Sequence, residues 1–158
     1  MANTQSMCTS FMGELLTGTH NFGTGVVRAA TTADTFKAAL YLASATINAS
    51  TTTYSATGEI TGTNYTAGGT TVTNATAPSS TNTSATAGVA YWTPSASFSW
   101  SNLTQTTAFD CVLVYNSTQS NKAVSVHTFG SQTITAGTFT LTMPSNTTST
   151  ALLRLATT

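Results

Sequence analysis

Few side chains of this 158-residue sequence are suited to acid–base or nucleophilic chemistry. A Ser–His–acid triad would have to combine Asp110 with His127 or His20 and one of the many serines, and no Gly-x-Ser-x-Gly motif is present. His127 alternates with Val124 and Val126, which is typical of a strand. Because so many serines guarantee some pairing by chance, we interpret His127 as a hydrogen-bonded or solvent-facing strand residue. We expect that the protein is not an enzyme.

Glycosidase and metal chemistry also lack their residue patterns. Glycoside hydrolysis needs two positioned carboxylates, but the four acids lie in four different predicted elements: Glu14, Asp34, Glu59 and Asp110. Of these, Asp34 is expected to begin a strand. The histidines and cysteines share no metal-ligand spacing, and Cys8 and Cys111 are expected to be buried thiols. The sequence contains no Gly-rich phosphate loop. We therefore predict no catalytic residue, no metal site and no cofactor.

The charge composition restricts the partners of the protein. Charged residues make up 5% of the chain and the net charge is zero, whereas about a quarter of a typical globular chain is charged. Four scattered cations cannot neutralise a phosphate backbone, so no nucleic-acid partner is expected. No apolar stretch approaches the roughly 20 residues of a membrane-spanning helix, so no membrane association is expected. The beginning of the sequence has no basic region followed by an apolar core, so no secretory signal is expected.

The hydroxyl content indicates how the surface is solvated. Serine and threonine together make up more than a third of the chain, so hydroxyls and amides must hydrate this protein in place of ions. Sheet edges in such a chain lack the lysines that usually block pairing with another chain. We therefore expect partners to cover the edges and faces of the sheets.

The N-terminal segment, residues 1–22, contains a helical pattern. One apolar stripe on a helix of about three turns would comprise Met7, Cys8, Phe11, Met12, Leu15 and Leu16. Thr4 or Ser6 could cap its beginning, and Gly18 lies where a C-terminal glycine would end it. The stripe either packs on the rest of the protein or docks to a neighbour. Five of its residues are the candidate partner-binding residues: Met7, Phe11, Met12, Leu15 and Leu16.

From Asp34 onward the apolar pattern changes to a period of two, which indicates strands. The clearest strand signals lie at Phe36–Leu42, Phe98–Trp100, Phe109–Tyr115, Val124–Val126, Phe139–Met143 and Leu153–Leu155. Turn signals separate them, among them Ser120–Asn121, Gly130–Ser131 and Ala136–Gly137. Residues 75–88 have no apolar side chain larger than alanine and are predicted to form an exposed loop. The spacing predicts a mainly β protein, a single antiparallel β-sandwich or jelly-roll domain over residues 1–158 with one short N-terminal helix.

Threonine also recurs in a regular spacing. Thr-x-Thr pairs begin ten residues apart, at Thr51, Thr61, Thr71 and Thr81. Ranked Thr-x-Thr ladders on a solenoid face can match an ice lattice, so ice binding is a remote alternative. The flanking apolar residues Ile60, Tyr65 and Val72 are out of register, and a solenoid must stack a continuous core. We interpret the ladder as a consequence of composition.

Eight segments of the chain, taken together in order, form a recognisable set: Cys8–Phe11, Glu14–Phe22, Asp34–Tyr41, Thr53–Ile60, Tyr65–Gly69, Leu113–Ser117, Lys122–Val124 and Ala136–Leu141. Together they resemble a family of virion structural proteins from tailed bacteriophages. The similarity covers most of the chain and is weak over residues 75–101. The family carries no catalytic motif, so the resemblance implies a particle component without enzymatic activity.

Among such components, a small neutral β-rich domain suits a capsid decoration (cement) protein. The resemblance implies binding to the major capsid protein and to copies of itself, as a homotrimer on the outer surface of the virion, after synthesis in the host cytoplasm. A tail or fibre component remains an alternative, in which Tyr91, Trp92 or Trp100 could stack on glycans. A decoration protein would act by mass action, since many weak contacts stabilise only the assembled shell.

Overall fold

The protein is a mainly β structure built from antiparallel strands. The computed structural model describes residues 3–8, 11, 15, 19–20, 22, 33–73, 78–81 and 89–156. Its strands are β1 (Ser6–Met7), β2 (Phe36–Leu42), β3 (Thr70–Thr71), β4 (Ser79–Ser80), β5 (Val89–Trp92), β6 (Phe98–Asn116), β7 (Lys122–Leu141) and β8 (Leu153–Ala156). They form a five-stranded sheet in the order β1-β7-β6-β2-β3 and a three-stranded sheet in the order β4-β5-β8. The predicted mainly β antiparallel fold class is confirmed.

The long hairpin of β6 and β7 is the centre of the larger sheet. Its turn includes Ser120 and Asn121, both with positive φ (53° and 59°), as the predicted turn at these residues requires. The turns predicted at Gly130–Ser131 and Ala136–Gly137 are wrong, because β7 continues through both. Positive φ occurs at Gly130 (77°) and Ala136 (47°), and the register with β6 shifts several times along the hairpin. These residues therefore form irregularities of the ladder, since a positive φ serves a bulge as well as a turn.

The core lies where β2, β6 and β7 run side by side. From Phe109 to Tyr115 every residue except Asp110 is buried, and β2 and β7 pair with the two edges of this part of β6. The strand β2 is also buried on both faces, apart from Lys37 and Leu42. The sequence predicts a central strand at residues 109–115, and the structure confirms it.

The smaller sheet packs on the same core. The ring of Trp92 on β5 lies 4.9 Å from that of Phe22 and 6.3 Å from that of Phe36 on β2, centroid to centroid. Its strand β4 lies inside the predicted 75–88 loop, where the loop prediction is wrong at Ser79 and Ser80. These two residues form a strand because β5 offers backbone partners to them. Most other residues of that predicted loop lie outside the described residues.

The predicted N-terminal helix is wrong at its beginning. Ser6 and Met7 form β1 and pair with Val126 and Ser125 of β7, and the Cys8 backbone N–H donates to the Val124 carbonyl at 3.2 Å. The edge of β7 offers unpaired backbone groups that a strand satisfies better than a helix end does. Further along the chain, Phe11 and Leu15 are helical, while Met12, Leu16 and Gly18 lie outside the described residues.

The described part of the chain contains no helix with the length and apolar character needed to cross a membrane.

Candidate functional site

The candidate partner-binding residues of the N-terminal segment lie against the core where they are described. Phe11 is 2% exposed, and its ring makes edge-on contacts with the rings of His20 and Phe22 at centroid distances of 4.8 and 5.7 Å. Leu15 is half-buried. The side chains of Met7, Met12 and Leu16 lie outside the described residues. Phe11 therefore packs within the chain itself, and docking by the set of five stays a prediction.

A buried amide connects this segment to the sheet. Asn116, at the end of β6, is fully buried, and its Nδ2 lies 2.7 Å from Asp34 Oδ2 and 3.1 Å from His20 Nδ1. The Asn116 Oδ1 accepts the backbone N–H groups of Thr118 and Gln119 at 3.1 Å each. One side chain thus connects the hairpin turn, the chain before β2 and His20. The sequence predicts that a strand begins at Asp34, whereas β2 begins two residues later, at Phe36.

The most highly organised polar group is a buried carboxylate surrounded by hydroxyls. Glu59 is 5% exposed. Its Oε1 accepts the Tyr65 hydroxyl at 2.6 Å and the Gly68 backbone N–H at 2.8 Å, while Oε2 accepts the Tyr54 hydroxyl at 2.6 Å. The Tyr115 hydroxyl donates to the Gly68 carbonyl at 2.7 Å. We call Glu59, Tyr54, Tyr65, Gly68 and Tyr115 the Glu59 cluster.

The Glu59 cluster attaches the long loop between β2 and β3 to the sheet. The Tyr54 and Tyr115 rings stack with centroids 4.6 Å apart, and the Tyr65 hydroxyl also accepts the Leu40 backbone N–H at 3.0 Å. Burial, together with the Glu59 charge, raises the pKa of Tyr115 to about 12. Burial and the hydrogen bond to Glu59 raise the pKa of Tyr54 and Tyr65 well above 10. These phenols therefore stay protonated at neutral pH and act as donors to the carboxylate.

The structure pairs His127 with a serine. The Ser125 Oγ and His127 Nε2 lie 2.8 Å apart on one face of β7, and both line an open cavity of about 290 Å³ together with Gln5 and Arg154. Burial lowers the pKa of His127 to about 4. Among the described residues that line this cavity there is no acid, and the Asp110 carboxylate instead accepts the Asn3 side-chain amide. His127 is thus hydrogen-bonded within its strand, which is one of the two arrangements that the sequence predicts.

The remaining chemically active side chains are dispersed. Both cysteines are buried thiols, as predicted, and neither forms a disulfide. Burial, and then the nearby Asp110 charge, raises the pKa of Cys111 to about 12. In the ranges that the structure describes, no group of three or more His, Cys, Asp or Glu side chains could hold a metal ion.

The half of the β6–β7 hairpin that lies farther from its turn has an uncharged surface. We define the distal ribbon as residues 98–108 of β6 and 128–141 of β7, which together contain no Lys, Arg, Asp or Glu. One face is apolar and closed by aromatic contacts, as between Trp100 and Phe139, whose centroids are 5.9 Å apart. The other face carries exposed hydroxyls, with the Ser99 and Thr140 Oγ atoms 3.1 Å apart across the two strands.

The outer edge of the distal ribbon has no partner strand in the described structure. The strand β7 is flanked by β6 on one side and by β1 on the other, and β1 pairs only with Ser125 and Val126. Residues 128–141 therefore present the backbone groups of an edge strand over roughly 45 Å at about 3.3 Å per residue. The composition predicts sheet edges without lysines but does not indicate which strand forms such an edge.

Two other sequence patterns do not form surfaces of their own. Thr53, Thr63 and Thr71 pair with Lys122, Thr104 and Lys37, which belong to three different strands, so the Thr-x-Thr windows do not stack on one another. Of the aromatic residues considered for glycan stacking, Trp92 and Trp100 are buried and Tyr91 is half-exposed.

Comparison of the chain with protein-family models, with curated proteins and with solved structures finds no match.

Proposed function

We propose that this chain is a non-enzymatic structural protein of a virion, and specifically a capsid decoration protein that binds the outside of the head and stabilises contacts between major capsid proteins. The single observation that supports an assembly role most directly is the uncharged open edge of the distal ribbon. The sequence resemblance to virion structural proteins of tailed bacteriophages supports the choice of particle.

The edge supports this role because open strands are a liability for a protein that works alone. Isolated proteins usually protect an edge with lysine, proline or a short strand, whereas the distal ribbon contains no charged residue and no proline. A neutral surface also lacks the electrostatic repulsion that keeps chains apart. An edge of this kind is suited to a protein whose working state is an assembly.

The assembly would use many weak contacts in parallel. Exposed hydroxyls such as those of Ser99 and Thr140 can exchange water for a partner at little cost, since hydroxyls are less strongly hydrated than ions. Each contact is weak, but copies held on one shell bind at a high effective concentration. The proposed partners are the major capsid protein and further copies of this chain, the latter as a trimer.

The proposal is tested by adding the purified protein to expanded capsids that have been stripped of accessory proteins. We expect saturable binding, with a stoichiometry that reports the symmetry axis occupied, and rupture of the shell at a higher temperature. The variant Thr135→Lys places a charge at an exposed position of the distal ribbon and should weaken binding at least tenfold. The matched control Thr57→Lys places the same charge on an exposed turn outside the ribbon and should bind normally.

The second candidate is a tail or fibre component, which would share the neutral β-rich surface. Absence of binding to stripped heads would refute the capsid proposal and direct the same assay to isolated tails. If the Thr135→Lys and Thr57→Lys variants bind to heads equally well, the proposed capsid location stands, but the proposed role of the distal ribbon in binding is refuted.

A further inference from the structure

An apolar cavity opens beside the smaller sheet. Its volume is about 150 Å³, and its lining includes Phe11, Phe22, Ala90, Trp92, Leu153 and Leu155. A cavity with so few polar atoms gives water no hydrogen-bond partners, and a volume near 150 Å³ accommodates one benzene-sized group. The cavity is therefore suited to one apolar group of about six or seven carbon atoms, and a helix face would be too large for it.

The rim of the cavity is an edge strand. The strand β8 pairs only with β5 within the described sheet order, in the register Trp92–Leu153 and Ala90–Leu155. In an antiparallel pair, alternate residues direct their N–H and C=O groups away from the partner strand. Leu155, at the rim, is 43% exposed and is a large apolar side chain that the chain leaves in contact with water. Within the described part of the chain, unpaired backbone groups of β8 and an apolar cavity thus lie next to each other.

We propose that β8 and this cavity bind an extended segment of a different protein, which adds to the sheet antiparallel to β8 and places one phenylalanine-sized side chain in the cavity. Backbone hydrogen bonds along an added strand supply affinity, and a cavity for every second side chain supplies specificity. This site is separate from the distal ribbon and does not depend on the proposed function.

The charge beside the cavity narrows the chemistry of the segment. Arg154 lies between Leu153 and Leu155 on β8, so its side chain is directed to the opposite face, where it is exposed and its Nε donates to the Thr148 carbonyl at 2.6 Å. The strands β4, β5 and β8 contain no acid. An added strand with its apolar residue opposite Leu155 would place the adjacent residue opposite Arg154, where an acidic side chain is favoured. The segment therefore has an apolar residue next to an acidic one.

A second copy of this chain is a poor source of such a segment. In the full sequence an acid adjoins a large apolar residue at Glu14–Leu15, at Glu59–Ile60 and at Phe109–Asp110. Ile60 is 1% exposed, Phe109 is fully buried, and Leu15 already lines the cavity of its own chain. None of the three could enter the cavity of another copy without leaving its place in its own chain, so the geometry points to a different protein.

The test uses the full chain and the synthetic peptide acetyl-Ser-Thr-Phe-Glu-Thr-Ser-amide. We expect binding by fluorescence anisotropy of the labelled peptide, with shifts of the Leu153 and Leu155 methyl signals in NMR spectra. Replacing the peptide phenylalanine with alanine should weaken binding about 10- to 100-fold, which corresponds to the burial of one large apolar side chain. Replacing its glutamate with lysine should also weaken binding, and R154E should reverse that preference.

Two further arms separate strand addition from simple occupation of the cavity. N-methylation of alternate peptide bonds removes the backbone donors and should abolish binding. A90F fills the cavity from the middle strand and should abolish binding, while A56F, a matched change on an exposed loop, should not. L155S, at the rim, provides a second variant that adds no volume, and should weaken binding.

The opposite results would overturn the proposal. Equal affinity of the phenylalanine and alanine peptides would refute occupation of the cavity. Unchanged binding of the N-methylated peptide would refute strand addition. Shifts of the same methyl signals by benzene without peptide binding would assign the cavity to small molecules instead of a protein segment.

Discussion

The Glu59 cluster predicts a specific pattern of stability losses. In Glu59→Gln, the amide oxygen can still accept the Tyr65 hydroxyl and the Gly68 backbone N–H, but both bonds lose their charge assistance. Hydrogen bonds to charged groups contribute about 1.5–3 kcal/mol and neutral ones about 0.5–1.5 kcal/mol. The difference is about 1 kcal/mol for each of the two bonds. The amide nitrogen replaces Oε2. The Tyr54 hydroxyl, which donates to Oε2 in the original protein, must therefore turn to accept a hydrogen bond from the amide.

We therefore expect Glu59→Gln to lower the free energy of unfolding by about 2 kcal/mol. Glu59→Ala removes every acceptor and leaves the buried Gly68 N–H without its partner, so the loss should reach about 3–5 kcal/mol. The measurement is urea unfolding followed by tryptophan fluorescence. The free energies are compared between variants whose unfolding free energy has the same slope against urea concentration.

Tyrosine variants provide the controls for this prediction. Tyr54→Phe and Tyr65→Phe each remove one donor to the carboxylate and should cost about 1–2 kcal/mol. Tyr91→Phe removes a half-exposed hydroxyl outside the cluster and should stay within about 0.5 kcal/mol of the original protein. If the free energies of unfolding of Glu59→Gln and Glu59→Ala both lie within about 0.5 kcal/mol of that of the original protein, the carboxylate does not stabilise this loop and the prediction is refuted.

Three further predictions follow from burial and backbone conformation. The pKa of His127 is lowered to about 4 from 6.5, so the unfolded chain binds a proton that the folded chain does not. The free energy of unfolding should therefore fall by up to about 3 kcal/mol as the pH decreases from 6.5 to 4. The decrease should be smaller in the His127→Gln variant, and urea unfolding at each pH measures both. Cys111, with its pKa raised to about 12, should react with iodoacetamide at pH 8 only after unfolding, and labelling of the native protein at the rate of a free thiol would contradict this. Gly69→Ala should lower the free energy of unfolding by at least about 3 kcal/mol, because its Cβ would collide with the Ala38 carbonyl group. In Gly130→Ala the Cβ meets open space at a similar φ, so the loss should be about 1–2 kcal/mol. Equal losses in thermal or urea unfolding would rule out the steric explanation.

The strands that sequence analysis located are those with a strong local pattern. The alternation of Phe98 and Trp100 with serines, and the continuous apolar run from Phe109 to Tyr115, both belong to β6. The sequence did not predict that they form one continuous strand. Whether the chain continues across a weakly patterned stretch depends on its pairing with β7, which lies elsewhere in the chain.

The polar clusters could not be predicted, for a similar reason. Glu59 was recognised only as one of four dispersed acids, because its donors Tyr54, Tyr65 and Gly68 have no periodic spacing that would indicate a common site. Closure of the loop onto β6, where Tyr115 contacts Gly68, brings these groups together. The Ser125–His127 pair is local, since residues two apart in a strand share a face, but the sequence predicts only a hydrogen-bonded or solvent-facing histidine and not its partner.

The prediction for the N-terminal segment failed in part because two kinds of structure compete there. The apolar spacing from Met7 to Leu16 fits a helix, and Phe11 and Leu15 are helical. At Ser6 and Met7, pairing with the edge of β7 prevails. Helical spacing is encoded locally, but the availability of a strand edge is not.

The sequence by itself determined the charge-poor, hydroxyl-rich surface, the mainly β class and the shortage of groups for catalysis, because these depend on residue type and on neighbours within a few positions. The tertiary structure alone decided that Glu59 is buried among tyrosines, that Phe11 packs in the core, and that no described residue covers the outer edge of β7 or closes the cavity beside β8. Burial and edge pairing are set by segments far apart in the chain, and no local pattern of residues contains that information.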